Sequence, residues 1–130
     1  MTEYIHLHFM VGWGCMLFGA LSGAVMGLFF HRDDWVGGYS SFRRRLLRLG
    51  HMAFFGLGFL NLLFGITLQG ISLSDPYLTI ASLGFVVGAL TMPLCCLLAA
   101  WRKPFRHLFP IPVLSIFAGI VPTLLGGLSA

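Results

Sequence analysis

The chain has 130 residues, a formal net charge of +4, 58% hydrophobic residues and only 9% charged ones. Soluble domains carry about 25% charged residues, so this composition excludes a water-covered fold and makes lipid the natural solvent. A nucleic-acid partner is excluded too, because the bases fall only in short breaks between apolar runs, where anionic lipid headgroups are the partner they fit.

The first apolar run, 4–31, is longer than a signal-peptide core of about 7–15 residues and follows no basic segment, so it reads as a retained helix. His6 and His8 lie at its outer end. Being two apart, they diverge by about 200° on a helix, so they share a surface metal only in an extended segment. Gly19, Gly23 and Gly27 follow at spacings of four, a doubled small-xxx-small ridge that lets another helix approach closely.

The connection 32–48 holds Arg32, Arg43, Arg44, Arg45 and Arg48 beside Asp33 and Asp34. Arg43, Arg44, Arg45 and Arg48 are assigned to lipid headgroups, and Ser40 or Ser41 to the cap of the next helix. The second charge-free run, 49–74, opens near His51 and carries Gly58, Gly65 and one strongly polar residue well inside, Asn61. A polar group at that depth bonds across to another helix, which makes Asn61 a helix clasp.

The third run, 76–101, opens on Pro76 after the turn "SLSDP" and carries Gly84 and Gly88 at one spacing of four. The break "RKPFR" at 102–106 holds the remaining bases, and the fourth run is 107–130, with Gly119, Thr123 and Gly127. Pro93 and Pro122 lie inside spans and are expected to kink them. Cys15, Cys95 and Cys96 are odd in number and sit in apolar runs, so they read as packing residues.

The predicted fold is therefore an all-α integral membrane protein: a four-transmembrane-helix bundle with short loops, one membrane domain over 1–130, and helices at about 5–30, 46–70, 77–101 and 108–128. All eight bases fall in the first and third connections, which places those loops in the cytoplasm of a bacterial-type inner membrane and both termini on the opposite side. Trp35, Tyr39, Phe42 and Trp101 mark that interface; Tyr4 and Tyr77 mark the other.

His31, His51 and His107 fall near the basic face. Two imidazoles on facing helices can clamp a b-type haem or bind copper or zinc, so these three are the candidate cofactor ligands, with a quinone as a further ligand near the same face. The plainer alternative makes His51 an interfacial anchor bonded to a carbonyl or a headgroup. No span contains Asp or Glu, so a proton-driven exporter lacks its carboxylate. No nucleotide-binding loop, nucleophile elbow or zinc-protease motif occurs. The expected function is thus a small non-catalytic subunit that packs against, anchors or stabilises a larger membrane complex, electron transfer being one class. Its partners are other membrane subunits or a second copy of itself. The runner-up is a small cytochrome or quinone-binding protein, and a transporter comes third.

Overall fold

The computed structural model describes residues 1–128; residues 129 and 130 of the predicted domain lie outside the described residues. The described chain is all helix, turn and loop. Helix α1 covers Thr2–Phe29, α2 Phe42–Gly70, α3 Asp75–Trp101 and α4 Pro110–Leu128, with short 3-10 turns at Trp35–Gly37 and Lys103–Leu108. At 1.5 Å per residue, α1, α2 and α3 are each about 40 Å long. All four helices, the fourth counted with the 3-10 turn before it, are long and apolar enough to cross a membrane.

The helices run up and down in sequence order. α1 packs along α2, α2 along α3, and α3 along α4, while α1 and α4 form no packed interface with each other among the described residues. The bundle is therefore flattened, with α2 and α3 as its central pair. Within the most apolar stretch of each span, 39% of α2 and 50% of α3 is buried, against 22% of α1 and 17% of α4. In lipid an edge helix needs no polar cover, so the outward faces of α1 and α4 remain oily, with Trp13, Leu17, Leu114 and Phe117 all exposed.

Small residues set the seams. A Cβ added at Gly58 would lie 2.9 Å from Gly12 O, and one added at Gly12 would lie 2.6 Å from Leu62 Cγ, so α1 and α2 meet almost backbone to backbone. Further along the seam, Gly19 receives the Phe55 ring and Gly23 the His51 ring. Gly84 and Gly88 lie on the α3–α4 seam, Gly84 against the Gly119 and Ser115 backbone and Gly88 against Ile116. Gly27 departs from the expected ridge: it is exposed and has nothing within 4 Å of an added Cβ.

Both basic connections meet at one end. Leu46 of α2 clusters with Ala99 and Ala100 of α3, joined by Phe42 and Phe105, and Lys103 Nζ lies 5.8 Å from the centre of the Phe42 ring. The opposite end joins α1 to α3 through Tyr4 Oη and Thr79 Oγ1 at 3.3 Å, near Glu3 and Asp75. One pole is thus basic and the other mildly acidic.

Arg44 corrects its assignment to headgroups. It is 3% exposed, and its guanidinium turns inward to close the end of α1. Nη2 donates to Phe30 O at 3.1 Å and Nη1 to Arg32 O at 3.3 Å, beneath the rings of Phe30, Trp35 and Tyr39. The last carbonyls of a helix lack intrahelical donors and carry partial negative charge, so a cation satisfies both needs. Ser41 completes the knot: its Oγ accepts from Arg44 N at 3.2 Å and donates to Val36 O at 2.7 Å, holding Val36 at φ 53, an uncommon conformation for a β-branched residue. Arg43 and Arg45 remain exposed, and Arg48 lies over Tyr39 at 4.2 Å. Arg44→Lys removes the fork but keeps the charge; it is expected to lower stability by about 2 kcal/mol. Thermal unfolding in detergent tests this against Arg45→Lys, which is expected to change nothing.

Candidate binding groove and its histidine

Two histidines occupy interhelical positions, and they differ in kind. His8 is fully buried where α1, α2 and α3 meet. Asn61 Nδ2 donates to Leu57 O at 2.9 Å and Phe85 O at 3.3 Å, which leaves Oδ1 as the acceptor. His8 Nδ1, 2.7 Å from that oxygen, is therefore protonated. In the neutral ring Nε2 then accepts from Ser82 Oγ at 2.9 Å. Phe64 meets the ring edge-on at 4.6 Å between centroids. Every polar atom of the triad has a partner, so His8 forms a closed three-helix lock.

Sequence spacing did not single out His8 for this role. The available signal was that His8, Gly12, Cys15 and Gly19 recur at alternating spacings of four and three, on the face that α1 presents to α2. The same face of α2 carries Gly58, Asn61 and Gly65. His6 is exposed and lies on a continuous helix with His8, so the two do not converge.

His51 is open where His8 is closed. Its Nδ1 lies 3.0 Å from Ser22 Oγ, and Ser22 Oγ donates to Gly19 O at 2.9 Å. A hydroxyl has one proton, so with that proton on Gly19 O, Ser22 accepts from Nδ1–H. In the neutral ring Nε2 is then an acceptor, and no hydrogen bond to it is found among the described residues. Its atom is not sealed, since Arg44 Nε is the one buried, partnerless side-chain nitrogen or oxygen found among the described residues. Phe55 meets the His51 ring edge-on at 5.4 Å, and Gly23 presses on its Cε1.

His51 lines a cleft of about 360 Å³ between α1, α2 and α3, whose walls include Val25, Trp35, Phe54 and Leu97. A second cleft of about 370 Å³ continues it toward Val11 and Leu90 and shares Phe18, Phe54 and Leu97 with the first. The two adjoining clefts form a trough between α1 and α3, which pack together much less than α1 and α2 do.

The three candidate cofactor histidines are not brought together. His31 is exposed beyond α1, eight residues and so about 12 Å along the chain axis from Gly23, the residue that touches His51. His107 is exposed on the Lys103–Leu108 turn, which packs on α3 and α4, whereas His51 packs on α1. Among the described residues no group of three or more His, Cys, Asp or Glu side chains is placed to hold a metal ion. The chain matches no family model, no curated protein and no solved structure.

Proposed function

We propose that this chain is a small, non-catalytic subunit of a larger complex in a bacterial-type inner membrane, with its basic pole in the cytoplasm and both termini on the other side. The observation that carries this reading is the unequal burial of the helices. Two of the four spans lie at the edges of their own bundle, with only 22% and 17% of their most apolar stretches fully buried. On α1 that uncovered face includes Ala20, Ala24 and Gly27 beside Trp13 and Leu17, small residues that permit close approach and that the chain's own packing leaves unused. Such a molecule suits anchoring and gap-filling between larger neighbours, as in electron-transfer assemblies.

The test is photo-crosslinking in living cells from a benzoylphenylalanine at Leu17 or Ala24 on α1, and at Leu114 or Phe117 on α4. The expected result is one adduct of fixed mass and near-full yield from one edge, from either a different chain or a second copy. That adduct is lost in a variant that places a large residue on the same face and leaves the fold intact. Adducts to lipid alone from all four positions would overturn the reading. Orientation has its own check: a reporter active only in the cytoplasm is expected to be silent at the C-terminus and active when inserted at 102–106. The reverse pattern would sink the orientation.

A b-type cytochrome is the second reading, favoured by His51, an inner histidine that borders a cleft. It requires a Soret band in the natively purified protein that is absent from His51→Ala. A colourless preparation removes it.

A further inference from the structure

We infer that the trough between α1 and α3 binds an uncharged, hydroxyl-headed, flat amphiphile of the quinol class, its head on His51 and its apolar tail along Phe18, Phe54 and Leu97. This goes beyond the subunit reading and requires only that the chain lie in a bilayer. Three observations define the occupant. First, the trough is apolar along its length apart from the His51 and Ser22 end. An apolar cleft with one convergent polar group fixes a ligand's direction as well as its place.

Second, in the neutral ring His51 Nε2 carries a lone pair when Nδ1–H is given to Ser22 and the Ser22 proton to Gly19 O. The complementary head is a hydrogen-bond donor, which a hydroxyl is and a quinone carbonyl is not. Third, the walls near the head include the rings of Trp35, Phe18 and Phe54, the last two stacked at 6.0 Å, and the lining residues include no Arg or Lys. Aromatic walls suit a flat ring, whereas a phospholipid head calls for a cation. From Val11 to Val25 the trough follows α1 for about 21 Å, room for a chain tail running from the basic interface toward the bilayer centre.

The site lies about one turn beyond Arg48, so a polar head there stays near the interface while the tail stays in hydrocarbon. No redox step is implied; the chemistry assigned is binding and orientation.

The experiment uses the full chain in phosphatidylcholine nanodiscs, in a Trp13→Phe/Trp101→Phe background that leaves Trp35 as the sole indole. The probes are a short-tailed benzoquinol kept reduced, its quinone, and its dimethyl ether. Saturable quenching of Trp35 by the quinol is expected, with affinity about tenfold weaker for the ether and for the quinone. His51→Leu is expected to bring quinol affinity down to the level of the ether. Val25→Phe/Leu97→Phe, which narrows the trough without touching His51, is expected to abolish saturation. Quenching that rises linearly with probe in the membrane, equal affinity for quinol and ether, or unchanged binding in folded His51→Leu would overturn the inference. Should His51→Leu fail to fold, the trough-filling variant decides: undiminished saturable binding there would sink it.

Discussion

Gly84→Ala is expected to force α3 and α4 apart, at a cost of about 3 kcal/mol, near the upper end of what overpacking a well-fitted interior takes. The added methyl would lie 2.5 Å from both Gly119 N and Ser115 O and 2.9 Å from Ala118 C. All three are backbone atoms of α4, and none can rotate out of the way. Gly88→Ala meets Ile116 Cγ1 at 2.9 Å, the stem of a side chain that has some freedom, so a smaller loss is expected there. Gly56→Ala meets nothing within 4 Å and serves as the control, expected to be neutral. Because α3 supplies most of what α4 packs against, the Gly84 variant should also release α4 to protease well below the temperature at which the other helices unfold. The measurement is reversible unfolding in mixed micelles with added ionic detergent. Equal stability of the Gly84 and Gly56 variants would mean that the α3–α4 seam is not the close contact described.

The spans were legible because lipid imposes a length and an oiliness that few other environments do, and the apolar runs announce both. The start of α2 was less so. It lies at Phe42, four residues before the expected 46, although the cap that sets it, Ser41, is one of the two residues the sequence offered for that role. A run of arginines shows where a boundary lies but not which member turns toward the protein, and here the Phe30 and Arg32 carbonyls just past the end of α1 receive Arg44. The glycine ridge of α1 shows a second limit. Residues four apart advance about 40° around a helix at each step, so a ridge running 19, 23, 27 drifts off the contact and leaves Gly27 facing outward. Alternating steps of four and three stay on it, which is why the seam runs through His8, Gly12, Cys15, Gly19 and Met26. Position along the chain separates the histidines between the two ends of the bundle, but it does not reveal facing. His51 turned toward α1, while His31 and His107 went to surface turns.

His8→Ala is expected to cost about 3 kcal/mol, and it couples two effects that a double-mutant cycle separates. One is the void left by a large, fully buried side chain. The other is the orphaning of Asn61 Oδ1 and the Ser82 hydroxyl in a place water does not reach, with an expense of about 1–3 kcal/mol per unsatisfied group. Interhelical hydrogen bonds in membranes average only about 0.6 kcal/mol, with a maximum near 1.7. The His8–Asn61 coupling is placed near that maximum because the pair is sealed, short at 2.7 Å, and tied at both ends to further partners. Asn61→Asp is the sharper probe. It keeps the shape and still accepts from His8 Nδ1–H, but a carboxylate donates to neither Leu57 O nor Phe85 O and a carboxylic acid to only one of them, so it is expected to be nearly as damaging as His8→Ala. His8→Leu combined with Asn61→Leu removes the polar pair from α1 and α2 and fills the space, and it is expected to recover much of the loss, since two absent partners cost less than one abandoned one. Additive single losses for His8 and Asn61, or an Asn61→Asp variant as stable as the parent, would show that the three helices are held by shape alone and that the triad merely fits between them.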